Sequence, residues 1–444
     1  MPDGPVSFRV AVTEGDVGSP DVRLPFSLAG TTFVLDIEAV PAAAFRDGWV
    51  AVRSQPGDVV AVCPDDACSS HPGFVRTNVR LSDGRATGVR VTIAKAYGDA
   101  RIWVEDLGFV PGTALGSACG NGLDDDDDGR VDYGEDPGCA FSNDDTETGG
   151  SHAVGLSPAL YYANPRIADV QGMASESPLL GRSVTIDGGE MVVVRVSVDG
   201  LYVTDVGETR GYDSLFAYNF NTPQGVRVCD RLIALAGIVG EFYGYTELGF
   251  PSWTRDPAWP RPLLPSGPGE CPVPEPTELT VAVLDDAAAM ESLECGLAQV
   301  TGGTITPRFH DCDARANGGN GNGAIDFGTV EETCADTCDD ELDCTEASQY
   351  RRYGQFGIAT AGATPAERRK VLVLARDSMP DFDARDHAGE TAAVVRGTMK
   401  QVEFLNIPWI LEVRCRDDLV FTGDVRPMWE ACVTPPDDGE GYAR

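Results

Sequence analysis

Short runs of alternating apolar and polar residues, separated by Gly, Pro or Asp, constrain the fold of this chain more than any other feature. The run VSFRVAV near the N-terminus and the run TGVRVTIAKA further along have the two-residue alternation of half-buried strands. The 444 residues include 51 Gly and 30 Pro, which favours many turns and argues against an all-helical protein. The sequence therefore predicts an all-β chain of about two to four domains.

Residues 1–115 contain such runs at the spacing that is typical of a β-sandwich. Their order, with LSDGRATGVRVTI followed by GDARIWVED, resembles that of bacterial Ig-like surface domains. The resemblance implies that this segment folds as an Ig-like β-sandwich and acts as a spacer or binding module.

Residues 116–150 are predicted to form a calcium-binding loop and a linker. Five consecutive aspartates lie here between two cysteines, and this much like charge needs a bound cation if the segment is to fold. An EF-hand-type loop requires oxygen ligands at positions 1, 3, 5, 7, 9 and 12 and Gly at position 6, and Gly129 meets the last condition. A solvated acidic linker without metal is the alternative. The predicted ligands are Asp124, Asp126, Asp128, Arg130 through its carbonyl, Asp132 and Glu135.

The sequence on both sides of this loop carries Gly, Pro and Asn where the helices of an EF-hand would stand. The arrangement resembles the Cys-bracketed, Asp-rich repeats of secreted myxobacterial proteins and, more distantly, the loops of dockerins and thrombospondin type 3 repeats. The resemblance implies a structural calcium ion. A disulfide between Cys119 and Cys139 would close the loop in place of the helices.

Residues 151–275 carry the most specific pattern, with GLYVTD at 200–205 and GIVGEFYGYTEL at 237–248. The two runs closely resemble the OB-fold modules of secreted bacterial nucleases, in which G-F-Y-V-Q-D precedes a strand that ends in E-F-Y-G-x-T-E-L. The resemblance implies an OB-like barrel. This sequence departs from the pattern of those modules at Cys229, which replaces the usual Gly. The cysteine suggests a local disulfide, with Cys271 as a candidate partner.

Aromatic residues alternate along the strands of this predicted barrel. In an OB barrel such residues can stack bases or sugars at the surface, although the same alternation is more often that of a core. Both interpretations remain open from the sequence. The candidate ligand face consists of Tyr202, Phe216, Tyr218, Phe242 and Tyr243.

Residues 276–444 repeat the strand pattern in weaker form, which predicts a second OB-like barrel with a Cys/Asp-rich insertion at 309–346. If Gly323 takes position 6 of a calcium loop, positions 1 and 12 are Gly318 and Thr329, which lack carboxylates. The insertion is therefore either a weaker metal site or only a disulfide knot. The candidate ligands of this second site are Asn320, Asn322 and Asp326.

Charge and cysteine content indicate the compartment and the partners. A net charge of -36 repels nucleic acid and anionic membranes and attracts divalent cations. Thirteen cysteines, some bracketing turn-rich segments as Cys63 and Cys68 do, fit disulfides in an oxidising compartment, and the odd number leaves at least one unpaired within the chain. We expect a secreted, periplasmic or surface-anchored chain that has lost an export signal, with a lipid anchor as a candidate and without a transmembrane segment.

No catalytic constellation stands out, because the four histidines, His71, His152, His310 and His387, are far apart in sequence. The sequence thus predicts a non-catalytic, calcium-stabilised, disulfide-containing extracytoplasmic binding or structural protein, whose ligand is an unknown protein, glycan or other extracellular molecule. The alternative is a nucleic-acid-binding accessory protein related to the nuclease OB modules. Residues 349–416 keep that alternative open, because they are rich in Arg and Lys.

Overall fold

The computed structural model describes residues 7–42, 49–63, 78–106, 118–123, 130–131, 133, 135, 154–209, 211–259, 271–306, 353–362, 364, 367–387, 389–402, 408–423 and 432. Strands and turns dominate these residues, and the few α-helices are short, so the predicted all-β class is confirmed. The chain divides into two compact units, Met1–Asn164 and Pro165–Arg444. In the described ranges, no helix is long and apolar enough to cross a membrane.

The described residues of the first unit form two antiparallel sheets. Alternate residues of its strands face inward, and Phe33 and Leu35 of one sheet share a buried cluster with Val52 and Ile102 of the other. The sheets have the strand orders β1-β2-β6-β4 and β5-β3-β7-β8, and β9 also pairs with β7. The strands are β1 (Ser7–Glu14), β2 (Thr31–Val40), β3 (Trp49–Gln55), β4 (Asp58–Cys63), β5 (Asn78–Arg80), β6 (Arg85–Ala94), β7 (Asp99–Asp106), β8 (Gly155–Leu156) and β9 (Leu160–Tyr161).

The first unit extends further along the chain than the sequence predicts. Leu156 pairs with Trp103 and Leu160 pairs with Ala100, so β8 and β9 lie at the edge of a sheet of this unit. The sequence places the start of the first barrel at residue 151, whereas the structure places residues 155–161 in the first unit. Strands of two residues carry too little alternation to be recognised in a sequence.

The described residues of the second unit form fourteen further strands and three short helices. The helices are α1 (Ile167–Gln171), α2 (Val281–Leu284) and α3 (Ala287–Glu291). The strands are β10 (Ser183–Ile186), β11 (Met191–Val196), β12 (Gly200–Asp205), β13 (Ser214–Tyr218), β14 (Arg231–Phe242), β15 (Tyr245–Arg255), β16 (Thr277–Glu278), β17 (Leu297–Thr301), β18 (Thr304–Thr306), β19 (Gln355–Ala359), β20 (Lys370–Leu374), β21 (Ala392–Gln401), β22 (Trp409–Glu412) and β23 (Leu419–Phe421).

Strands β11 to β15 close on themselves and form what we call the first circuit. Strand β11 pairs with β12, β12 with β13, β13 with β15, β15 with β14, and β14 returns to β11. All of these pairs are antiparallel except β13 with β15, which is parallel. The interior is filled by residues that include Val192, Tyr202 and Phe216. A closed sheet of this kind leaves few free strand edges.

Strands β17 to β22 form a second circuit with the same order. Here β17 and β18 together act as the first strand, followed by β19, β20, β22 and β21, and β21 pairs back with β17. The parallel pair is β20 with β22, which corresponds to β13 with β15. Its core includes Phe356, Val373 and Leu411. The predicted insertion at 309–346 falls between β18 and β19 and lies outside the described residues.

Candidate binding surface

A continuous series of aromatic rings crosses the first circuit from its core to its surface. At the core end, the ring centroid of Phe216 is 4.6 Å from that of Tyr202 and 5.7 Å from that of Tyr245. All three side chains are buried. Gly200 makes this packing possible, because a Cβ atom at that position would lie only 2.6 Å from the Phe216 ring. The glycine of the GLYVTD run is thus required by the core.

At the surface end, the series continues through three residues that we call the aromatic patch, namely Tyr218, Phe220 and Phe250. The centroid of Tyr218 is 6.2 Å from Phe216 and 4.5 Å from Phe220. The rings of Phe220 and Phe250 are 5.4 Å apart. Phe220 is 54% exposed and Phe250 is 72% exposed, so two large rings in mutual contact face the solvent.

The backbone at both exposed phenylalanines is in the left-handed region, with φ of 61° at Phe220 and 51° at Phe250. This region costs an L-residue about 1–2 kcal/mol. Phe250 stands in a β-bulge, because Phe250 and Pro251 together face the single residue Gly237 on β14. Conformational cost without compensating burial is more frequent at functional sites than elsewhere.

The aromatic patch lies where two uncharged segments meet. Residues 215–226 and 248–254 contain no Asp, Glu, Lys, Arg or His, although 23% of the whole chain is charged. Strands β13 and β15 bring these segments together, since Tyr218 pairs with Gly249. The turn after β13 is held in place, because the Asn219 backbone N–H donates to the Asp199 carbonyl at 2.7 Å.

The structure divides the predicted ligand face. Tyr202 and Phe216 are 1% and 2% exposed, so they are core residues and the prediction that they face a ligand is wrong. Tyr218 is half-buried within the aromatic patch. Phe242 and Tyr243 are exposed at the tip of the β14–β15 hairpin, where Tyr243 and Gly244 form a two-residue turn with positive φ.

A buried polar cluster joins the two circuits. Arg195 of β11 forms an ion pair with Glu412 of β22, with 2.7 Å between Nη1 and Oε2, and also donates to Thr398 Oγ1 at 2.8 Å. The hydroxyl of Tyr202 donates to the same Glu412 oxygen at 3.1 Å. The arginine and glutamate side chains are 3% and 9% exposed. We call Arg195, Tyr202, Thr398 and Glu412 the seam.

Electrostatics hold the seam in its ionised form. Burial alone would raise the pKa of Glu412, but Arg195 and then Lys400 outweigh burial and lower this pKa below its ordinary value. Burial raises the pKa of Tyr202 well above its ordinary value, and Glu412 raises it further. The seam is therefore a charged, enclosed contact between the circuits and offers no surface to a ligand.

Most of the predicted calcium loop lies outside the described residues. This applies to Asp124, Asp126, Asp128 and Asp132 of the first site and to Asn320, Asn322 and Asp326 of the second. Arg130 and Glu135 are described and exposed. The Tyr133 backbone N–H donates to the Cys119 carbonyl at 3.0 Å, so the two sides of the loop are hydrogen-bonded to each other. Both metal sites remain predictions.

Two disulfides have both of their cysteines in the described part of the chain. Cys229 is bonded to Cys271, the pair suggested by the sequence, with 5.1 Å between the Cα atoms. Cys415 is bonded to Cys432, which the sequence did not suggest. Cys295 is a free, buried thiol.

The remaining predicted cysteine pairs are only partly described. Cys119 is buried and disulfide-bonded, and Cys139 lies outside the described residues. The Cys63 side chain and Cys68 lie outside them as well. The sulfurs of Cys415 and Cys432 come close to Asp418, but they are bonded to each other and the carboxylate accepts from Arg414 at 2.7 Å. That group therefore carries no metal site.

The basic residues of the second circuit do not form a continuous positive groove among the described side chains. Arg369 is paired with Asp285 at 2.6 Å, and Arg416 is paired with Asp381. Arg414 is buried and donates to the Val194 carbonyl at 3.2 Å. Phosphate recognition needs clustered, accessible cations, which these pairings remove.

One of the four histidines, His387, falls in the described ranges. Its ring stacks between Phe382 and Phe421 at centroid distances of 5.2 and 4.6 Å, and Nδ1 lies 3.0 Å from a Glu390 carboxylate oxygen. The ring is thus a packing element of the second circuit.

No family model, curated protein or solved structure matches this chain. Sequence reasoning missed Phe220 and Phe250, because neither belongs to a motif or to the alternation of a strand face. The signal that was present is the absence of charge from residues 215–226 and 248–254 in such an acidic chain.

Proposed function

We propose that this chain is a non-catalytic, extracytoplasmic binding protein whose ligand surface is the aromatic patch. The observation that carries the proposal is the pair of exposed, contacting rings of Phe220 and Phe250, both on left-handed backbone. Exposed aromatic groups of this kind supply a large contact area at low entropic cost when they bind.

Within this proposal, the two circuits are OB-like barrels and the first unit is an Ig-like sandwich. Support for the barrels comes from two five-stranded circuits that share one order and one parallel closing pair. An OB-like fold does not itself name a ligand, because such barrels serve many functions. The function therefore depends on the patch.

An oxidising compartment and a structural calcium ion complete the proposal. The disulfides Cys229–Cys271 and Cys415–Cys432 support the compartment, because structural disulfides persist mainly outside the cytosol. Asp124, Asp126, Asp128, Asp132 and Glu135 would supply carboxylates for calcium and Arg130 its carbonyl. The nucleic-acid alternative has less support, because the net charge is -36 and described arginines are paired with acids.

Sedimentation with insoluble extracellular polymers tests the proposed function. The full chain is mixed with peptidoglycan, cellulose, chitin, collagen or DNA-cellulose, and the bound fraction is compared between the wild type and Phe220→Ala. Tyr353→Ala removes a similarly exposed ring from the second circuit and is the matched control. We expect at least one polymer to lose binding about tenfold with Phe220→Ala and not with the control. If no polymer shows this difference, the patch is not a ligand surface.

A further inference from the structure

The chemistry around the aromatic patch restricts what can bind there. The side chains of the neighbouring turn are neutral and polar, and they include Asn219, Asn221 and Gln224. Asn219 Nδ2 donates to the Asn221 carbonyl at 3.1 Å, and each amide retains further donor and acceptor capacity. The acid of the adjoining turn, Asp199, accepts from Ser197 Oγ at 2.8 Å. The patch thus combines apolar ring faces with uncharged hydrogen-bonding groups.

Charged polymers are poor occupants of this surface. Nucleic acids and anionic membranes need Lys or Arg at the contact, and residues 215–226 and 248–254 contain neither. A net charge of -36 adds long-range repulsion of any polyanion. An uncharged ligand needs no basic side chains at the contact and is not repelled by the negative charge of the protein.

A folded protein partner is also a poor fit. Specific protein interfaces bury about 800 Å² on each partner, whereas an aromatic side chain offers at most about 250 Å². The three rings of the patch are only partly exposed, and together they fall well short of that area. The size of the patch suits one or two sugar-sized rings.

We propose that the aromatic patch binds an uncharged saccharide, as a glycan chain or an oligosaccharide. This inference rests on the proposed function and names its ligand class. The C–H groups on one face of a sugar ring pack on the electron-rich faces of Phe220 and Phe250, while the hydroxyl groups at its rim exchange hydrogen bonds with the amides of the adjoining turn. Binding of this kind needs no metal and no net charge on the protein.

Affinity electrophoresis of the full chain tests the ligand class. The gels contain a soluble neutral polysaccharide (mixed-linkage glucan, galactomannan or arabinoxylan) or an anionic one (alginate or polygalacturonate), and a labelled oligodeoxythymidine is tested separately by anisotropy. We expect retardation by at least one neutral polysaccharide and by neither anionic one. The dissociation constant should rise about tenfold or more in Phe220→Ala and in Phe250→Asn, and it should not change in Tyr353→Ala. Asn tolerates the left-handed backbone at position 250, so this variant removes the ring without adding strain.

The possible outcomes separate this inference from the function on which it rests. Binding of alginate, polygalacturonate or the oligonucleotide that is lost in both patch variants would overturn the saccharide assignment and leave the binding function intact. Retardation by a neutral polysaccharide that both variants retain would show that the patch is not the site. If no neutral polysaccharide retards the chain, the inference fails, and the sedimentation assay then decides the broader function.

Discussion

At the scale of single residues, Phe250 combines an unfavourable backbone with little burial. Asn is far more common than Phe in the left-handed region, and a ring that is 72% exposed contributes little buried area. We expect Phe250→Asn to raise the free energy of unfolding by about 0.5–1 kcal/mol, because relief of strain exceeds the packing that is lost. Urea denaturation measures the change. Phe250→Ala is the matched control, since it also removes the ring but lacks the short polar side chain that lets Asn tolerate the left-handed region. Equal destabilisation of the two variants would contradict this account.

A second residue, Glu294, should make stability depend on pH. Glu294 is 4% exposed and accepts from the Thr246 backbone N–H at 2.8 Å. Burial, with repulsion from Glu291 and Glu241, raises its pKa from 4.5 to about 8. The folded state therefore holds a proton that the unfolded state has released between those values, and stability falls as pH rises from about 4.5 through 8.

We expect Glu294→Gln to flatten this decline, because glutamine resembles the protonated side chain and carries no charge at any pH. Thermal unfolding from pH 5 to pH 8 provides the measurement. Glu176→Gln changes an exposed glutamate of the same unit and should leave the slope as it is in the wild type. A wild-type stability that is constant or increases over this range would exclude the predicted protonation of Glu294.

At the scale of elements, the acidic loop should be stabilised by calcium. The loop is already joined across its ends by the hydrogen bond from Tyr133 to Cys119, and extracellular calcium loops bind with dissociation constants of about 10⁻⁴–10⁻³ M. Calcium at about tenfold above that constant should stabilise the protein by about 1.4 kcal/mol. Chelator should lower the melting temperature of the wild type and not that of Glu135→Gln. Asp21→Asn, in the same unit but outside the loop, should respond to chelator as the wild type does. Equal melting temperatures of the wild type with and without chelator would contradict the predicted calcium site in this loop.

The elements also show how much of the fold and site the sequence could predict. Alternation identified the strands of both circuits, because a half-buried strand leaves a two-residue pattern. It could not reveal the parallel pair of β13 with β15, since that contact depends on closure of the sheet. Nor could alternation distinguish the buried Tyr202 from the exposed Phe220. The hydroxyl of Tyr202 is enclosed by its contact with Glu412 of the second circuit, whereas Phe220 lies in the turn after β13. The seam was equally invisible, because Arg195 and Glu412 are 217 residues apart.

At the scale of the whole molecule, the seam should make the two circuits unfold together. Glu412→Ala would leave the Arg195 charge buried without its ion-pair partner, and we expect a cost of about 3–5 kcal/mol. Replacing both residues, as in Arg195→Met with Glu412→Leu, should recover most of this loss. Arg369→Ala, at an exposed ion pair, should change stability little.

Two probes can follow this coupling. Once Trp49 and Trp103 of the first unit are replaced by Phe, tryptophan fluorescence reports on unfolding of the second unit. The free, buried thiol of Cys295 becomes reactive only when its surroundings open. The Cys295 backbone N–H donates to Met399 of the second circuit, so its exposure reports on that contact. The two transitions should coincide in the wild type. Separate midpoints would mean that the circuits are independent folding units.

The pairing of Thr306 with Gly357 allows the second circuit to carry a long insertion. The chain leaves the sheet after β18 and returns in β19 at neighbouring positions, so the intervening segment is attached like the loop of a hairpin. Segments attached in this way can be lengthened, exchanged or removed while the strand order stays the same. This junction is therefore a natural grafting point, because each doubling of the inserted length costs only about 0.6 kcal/mol in loop-closure entropy and leaves the strand order of the second circuit unchanged.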